Sequence, residues 1–244
     1  IVEGGPMGGR RLWPSAAAIV APLVDFLYPP ICLLCSEALI ERSAAVCGSC
    51  WGAFPLASPA DPAWQELSTT LRADGVGEFL ARWVYDTEGK LHDAIHLVKY
   101  RRERVVAERI AEGLAHSIVS DERFARGELL IPVPLHRARL RERTFNQSDV
   151  LAAEIARATS WPIAADALVR RGRATTQTRA SAADRRANVA DAFTLGPGAA
   201  KVAGRVCVLV DDVVTTGATA GTCALTLRAA GASEIFVACA AIAS

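Results

Sequence analysis

Two neighbouring carboxylates, Asp211 and Asp212, close the apolar run Val206-Cys207-Val208-Leu209-Val210, and Val213-Val214-Thr215-Thr216-Gly217-Ala218-Thr219 follows them. Such a pair accepts hydrogen bonds from a vicinal diol, directly or through a hard divalent cation such as Mg²⁺. The segment beyond it has the means to hold a phosphate. Gly217 lets backbone approach closely, Thr215, Thr216 and Thr219 carry hydroxyls, and N–H groups converge where the next helix starts. A diol and a phosphate on one ligand describe a phosphorylated ribose, and the groups wanted by 5-phosphoribosyl-1-pyrophosphate (PRPP) stand here in order. The competing reading is an ordinary strand with acidic residues before a helix; Thr-Thr-Gly-x-Thr at fixed distance argues against it. Neither G-x-x-x-x-G-K-[ST] nor a G-x-G-x-x-G between strand and helix occurs as an alternative phosphate loop.

Those groups need a scaffold. The apolar run predicts a strand buried on both faces, as in a parallel sheet, with its carboxyl end at the ligand side of an open α/β fold. Residues 78–85 predict a strand or hairpin arm. From Gly89 to Ser120 the pattern is helical, through Leu91, Ile95 and Val98, then past a basic break through Val105, Ile110, Leu114 and Ile118. Residues 129–133 predict a short buried strand, 145–159 a helix, and 167–169 the start of another strand. A helix over 218–230, ended by Gly231, precedes a last strand over 234–242. Strands alternating with helices predict a Rossmann-like parallel α/β sheet. The polar stretch from Arg170 to Asn188 reads as a mobile loop, and the Pro/Ala/Ser/Asp-rich stretch from Pro55 to Trp64 as a linker. The expected division is 1–57 for an N-terminal helix and cysteine-rich module, 58–75 for the linker, and 76–244 for the α/β domain.

Cys32, Cys35, Cys47 and Cys50 form two Cys-x-x-Cys pairs. Four thiolates so spaced suit a tetrahedral Zn²⁺, and with all four used no open position remains, so the metal would be structural. Disulfides, or a redox role for one pair, are the competing readings. Cys207, Cys223 and Cys239 lie in apolar surroundings and read as small core residues.

The 244 residues are 51% apolar and 22% charged with a net charge of +1, so nothing global demands a nucleic acid or an anionic membrane. Ile1–Gly9 reads as a disordered leader or a non-native remnant. Arg10-Arg11 with the apolar residues 16–27 imitates a signal peptide, but Asp25 and Pro22 interrupt it and it is too short for a span. A helix docking Ile19, Leu23, Phe26 and Leu27 is the preferred reading, in a cytoplasmic protein with no membrane insertion.

Two further clusters carry polar chemistry. Lys99-Tyr100-Arg101-Arg102-Glu103-Arg104 suits a pyrophosphate, a single-stranded nucleic acid held by charge and stacking, or merely solvent. His92 and His96, four apart, faintly imitate a metal-binding helix, although no third ligand follows, and a surface helix face accounts for them.

The segment from Asp211 to Thr219 resembles the PRPP-binding motif of the type I phosphoribosyltransferases. With the cysteine pairs first and that motif last, the chain is similar to the ComF/GntX family over residues 23–243. Tyr28-Pro29-Pro30-Ile31-Cys32-Leu33-Leu34-Cys35, Val98-Lys99-Tyr100, Pro132-Val133-Pro134-Leu135-His136 and Phe145-Asn146-Gln147 agree with its pattern. So does the run through Gln177, Arg185, Asn188-Val189 and Phe193. Thr144 departs from it, standing where the family commonly has Gly. The resemblance implies a type I phosphoribosyltransferase domain behind a small zinc ribbon. It implies displacement of pyrophosphate from Mg²⁺-bound PRPP by a nitrogen acceptor, with Asp211 and Asp212 on the ribose hydroxyls and residues 213–219 on the 5′-phosphate. Leu135, His136 and Arg137, with Lys99, would face pyrophosphate, and a loop carrying Gln177, Arg185 and Asn188 would close over the reacting centre. Thr215 stands where some purine enzymes of that fold carry a carboxylate, so purine salvage is not supported. The same resemblance implies DNA uptake in competence, which leaves open a single-strand-binding accessory or a PRPP-responsive regulator with a competence-machinery partner.

Overall fold

The computed structural model describes residues 29–40, 44–171 and 192–243. The helix expected over residues 16–27 and the loop residues Gln177, Arg185 and Asn188 lie outside them. The chain divides into two compact units, Ile1–Cys47 and Gly48–Ser244. In the first, Ile31 bridges Ala38 in antiparallel fashion, and Leu33 N–H donates to the Ala45 carbonyl at 3.0 Å. Among the described residues no helix is long and apolar enough to cross a membrane.

The second unit is built on four parallel strands: β1 (Glu78–Tyr85), β2 (Leu129–Pro132), β5 (Val206–Val214) and β6 (Glu234–Ala243), in the order β1-β6-β5-β2. Parallel strands covered on both faces read as unbroken apolar runs. Cys207 to Val210 and Ile235 to Ile242 are such runs, each residue at most 1% exposed. Strand periodicity assigns the two faces. Cys207 and Leu209 share a core with Trp64, Leu67, Leu71, Cys223 and Leu227, from helices α2 (Pro62–Ala73) and α7 (Ala218–Ala229). Val208 and Val210 point the other way. On β5 and β2 packs α6 (Gln147–Thr159), itself against α4 (Arg104–Ser120).

Helix α2 corrects the expected linker. Its Pro, Ala and Asp content conceals apolar residues at positions 64, 67 and 71, one face of a 3.6-residue period. Trp64 is 6% exposed and Leu71 wholly buried, so residues 58–75 contribute to the core. The strand beginning at residue 168 also differs from expectation. As β3 (Leu168–Arg170) it pairs antiparallel with β4 (Phe193–Leu195) in a separate two-stranded sheet. The remaining described elements are α1 (Gly48–Gly52), α3 (Lys90–His96), a π-helical turn over Leu97–Arg101, α5 (Arg137–Arg143), and 3-10 turns over Glu122–Arg126 and Pro197–Lys201.

Candidate functional site

The carboxyl ends of β5 and β2 open into a cavity of about 310 Å³ lined by Asp211, Asp212, Val213, Thr215 and Thr219 on one side and Val133, Pro134 and Leu135 on the other. Beside it a recess of about 50 Å³ is walled by Asp211 and residues 213–220. β5 does not stop at the aspartates. Val213 and Val214 still pair with Ala241 and Ile242, so the turn proper is Thr215 to Gly217. Gly217 adopts φ +74°, and a Cβ there would stand 2.9 Å from Leu67 Cδ1. Only glycine meets both demands. Its carbonyl starts α7, whose first-turn N–H groups have no acceptor within the helix and face the recess end of the turn.

Successive strand residues point to opposite faces, so the two aspartates meet different neighbours. Asp211 accepts from Ser148 Oγ at 3.3 Å and from the Asp212 N–H at 2.9 Å. Burial, and then the charge of Asp212, pushes its carboxyl up to about 7. Asp212 instead pairs with Lys99, Nζ to Oδ2 at 3.0 Å. Lys99 is carried there by the π-helical turn, a distortion often found at functional positions. Tyr85, at the end of β1, completes this side; burial and the nearby Asp212 charge push its phenol up.

Arg139, Arg143 and Arg170 also line the cavity, so four cationic side chains face two carboxylates. Here the structure moves an expectation. The loop after β2 becomes α5, with His136 at its N-cap accepting the Ala138 N–H at 3.1 Å on Nδ1. Arg137, at the first helical position, is exposed and lines neither cavity nor recess; nor does His136. Arg139 and Arg143 are four residues apart and therefore share the helix face that looks inward. Thr144 ends α5 at φ +70°, a left-handed conformation unusual for a β-branched residue. Arg170 lies across the ring of Phe193, 5.2 Å from its centroid, and burial followed by the charge of Arg139 lowers its pKa.

Sequence reasoning thus placed Lys99, Leu135 and most of 211–219 around one space, and missed Ser148, Gln147 and Arg170. The signal for the first two was present. Asn146, Gln147 and Ser148 are three polar residues, all at most 7% exposed, opening a helix otherwise apolar on its inner face. Asn146 Nδ2 donates to the Val133 carbonyl at 3.0 Å, tying α6 to the loop after β2. Arg170 carried no such signal.

Apart from this cavity, the sulfur atoms of Cys32, Cys35, Cys47 and Cys50 lie within 4.8 Å of one another, and Cys35 Sγ is 3.6 Å from Cys47 Sγ. Tetrahedral ligation with bonds of about 2.3 Å separates sulfurs by about 3.8 Å, so the set fits a closed Zn²⁺ site. Burial raises the Cys32 thiol, but N–H donors from Cys47 and Leu34, at 3.3 and 3.4 Å, with help from Cys35, bring it down to about 6. A sulfur poised as thiolate is the form a metal requires.

Comparisons with known proteins follow this division. Residues 23–63 match the double zinc ribbon domain family. Over 225 residues the chain is 32% identical to DNA utilization protein YhgH of Escherichia coli O157:H7, covering 86% of this chain and 88% of that one. It is 38% identical over 110 residues to Competence protein F of Haemophilus influenzae, a match that spans 45% of this chain and about half, 48%, of the Haemophilus protein. Among solved structures, glutamine phosphoribosylpyrophosphate amidotransferase from B. subtilis aligns at 24% identity and a TM-score of 0.37, over 54% of this chain and 25% of that one.

Proposed function

The chain belongs to the ComF family, and from that starting point we propose that it binds Mg²⁺–PRPP and transfers the phosphoribosyl group to a nitrogen acceptor. One observation carries the reading. A carboxylate pair lies near the carboxyl end of a central parallel strand, two residues before a turn built around a left-handed glycine, and borders a cavity where cations outnumber acids. A ribose diol answers the first feature, a 5′-phosphate the second, and a polyanion the third. Asp211 and Asp212 hold the 2′- and 3′-hydroxyls. Residues 215–219 hold the 5′-phosphate through backbone N–H groups and threonine hydroxyls. Mg²⁺ bound with the substrate would supply charge neutralisation at the pyrophosphate, and Asp211 and Asp212 are the cavity carboxylates that could hold it. The acceptor nitrogen bonds to C1, the C1–O bond breaks, and pyrophosphate departs with the electron pair while the acceptor's proton passes to solvent. Positioning and fixed charge supply most of the acceleration, since among the described residues no side chain is assigned as a dedicated base.

Calorimetric titration with Mg²⁺–PRPP tests this. The wild type binds, and Asp211→Asn combined with Asp212→Asn does not, while circular dichroism shows an unchanged fold. Equal binding by the double variant would refute the assignment. Pyrophosphate release on adding candidate acceptors then identifies the second substrate.

A second reading has its own support. The relatives' names speak of competence and DNA utilization, and the rings of Tyr85, His92, His96 and Tyr100 form a ladder with centroids 5.7, 4.7 and 4.5 Å apart. Arg101 and Arg102 stand at its exposed end, beside Tyr100 at 58% exposure. Charge plus an aromatic face suits a single strand of DNA. Binding that weakens with salt, and is lost in Arg101→Gln with Arg102→Gln, would support an accessory role beside or instead of transfer. Either role belongs in the cytoplasm, where the four cysteines stay reduced and free for zinc.

A further inference from the structure

The two aspartates stand differently toward a ligand. Asp211 receives its hydrogen bonds on Oδ1, from Ser148 Oγ and the Asp212 N–H, and among the described residues its Oδ2 has no hydrogen-bond partner. It lines both the cavity and the recess beside it. Asp212 is closed on both oxygens. Its Oδ1 accepts the Val213 N–H at 2.7 Å, and its Oδ2 lies 3.0 Å from Lys99 Nζ. Among the described residues Lys99 pairs with no other carboxylate, and the two side chains are 19% and 23% exposed.

The backbone that carries Lys99 supplies an independent observation. Leu97 and Val98 are buried, the turn over Leu97–Arg101 abandons α-helical hydrogen bonding, and Arg102 closes it at φ +61°. A non-glycine residue in the left-handed region is unfavourable and persists where its surroundings hold it. Arg102 Nη2 donates to the Glu142 carbonyl of α5 at 2.9 Å, which ties the turn down. An ion pair of such exposure adds little to folding, because desolvation offsets most of its Coulomb attraction. Stability therefore does not account for a distorted turn that delivers an ammonium to one oxygen inside the cavity.

We infer that Lys99 is a lock on Asp212, keeping a divalent cation off that carboxylate until a polyanionic ligand brings the cation in. The inference rests on the phosphoribosyl reading and deepens it by giving Lys99 a role before substrate arrives. A carboxylate pair suits a hard cation such as Mg²⁺, but an ammonium already stands 3.0 Å from Asp212 Oδ2. Arg139, Arg143 and Arg170 line the same cavity, so a bare cation meets four positive side chains against two carboxylates. Phosphate groups reverse that balance. They offer Lys99 another anion and release Asp212 Oδ2 to the metal or hydroxyl that accompanies them. Asp211, with Oδ2 open, is the carboxylate that meets the ligand first.

The test uses the full chain and Mn²⁺ alone, a paramagnetic stand-in for Mg²⁺ whose free concentration is read by electron paramagnetic resonance. Lys99→Met and Lys99→Gln both remove the charge, so the result does not hang on the folding of one variant. Each should bind Mn²⁺ at least fivefold more tightly than the wild type. Lys99→Arg keeps the charge and should stay within twofold of the wild type. Lys99→Met combined with Asp212→Asn should lose the gain. Unchanged Mn²⁺ affinity in neutral variants that melt cooperatively would show a structural ion pair and overturn the inference. A gain that survives Asp212→Asn, or that Lys99→Arg shares in full, would overturn it too, since neither Asp212 nor the charge would then be the cause. Calorimetry of the wild type with Mg²⁺ and PRPP separates this from the reading beneath it. Absent PRPP binding beside an Asp212-dependent gain in Mn²⁺ would sink the phosphoribosyl reading and leave the lock standing. Tight PRPP binding without any gain would remove the lock alone.

Discussion

Asp211 carries the main local tension of this site. Its carboxyl is pushed from 3.8 up to about 7 by burial and by the charge of Asp212. An acid whose pKa rises on folding binds more protons folded than unfolded. Stability therefore falls as pH climbs from 3.8 to about 7, and the cost is complete above that range. Asp211→Asn should accordingly stabilise the protein at pH 8 by roughly 1–3 kcal/mol, while a gain at pH 4 is small. Thermal melts of both proteins across that range check it, and a pH-independent difference would contradict it. Such a gain alongside lost PRPP binding is the expected trade between stability and function. Thr144 tells a related story from the other direction. A β-branched residue at φ +70° costs about 1 kcal/mol relative to glycine, so Thr144→Gly should raise the melting temperature by roughly 2–4 °C. The sequence marked this position as a departure from the family's glycine, and the backbone supplies the reason for that glycine. Arg143 next to it is buried, which its charge alone would not suggest.

At the scale of elements, what was legible depended on how many levels of signal agreed. β5, the turn and α7 could be read because apolar run, carboxylates, glycine and helix pattern point to one answer. Helix α2 was obscured because proline at its first position and alanine around it imitate a linker, although both suit a helix start. β3 and β4 escaped correct pairing because each is three residues long and the partners lie 23 to 27 positions apart, beyond any local pattern. The late strand end also mattered, since Val213 and Val214 read as turn but remain in the sheet. α2 and the turn are one functional assembly, because Leu67 and Leu71 fill the space under Gly217. Gly217→Ala should therefore strain the turn through its positive φ and press on Leu67 together. The expected cost is about 1–3 kcal/mol of stability, with ribose 5-phosphate affinity reduced more than pyrophosphate affinity. Equal loss for both ligands in calorimetry would show that the turn is not the phosphate cradle.

For the whole molecule, the question is what the metal stabilises. The hydrophobic core around β5 and β6 is assembled from residues 64–242, and no cysteine of the quartet belongs to it. Among the described residues of the first unit, Cys32 and Val46 are the deeply buried ones. Closed thiolate ligation of Zn²⁺ would supply on the order of 10 kcal/mol of folding free energy to the segment around the quartet. The quartet and the hydrophobic core share no residue. Elemental analysis of the purified protein should return about one Zn²⁺ per chain. Cys32→Ser should lose that metal and render the first unit sensitive to proteolysis. The α/β unit should keep its cooperative melt and its affinity for Mg²⁺–PRPP, because neither its core nor its cavity draws on the quartet. A metal-free chain with a protease-resistant ribbon would remove zinc from the account. If PRPP binding disappeared with the metal while the α/β unit still melted cooperatively, the ribbon would be acting on the sugar-phosphate site, and the separation of structural metal from ligand chemistry would have to be abandoned.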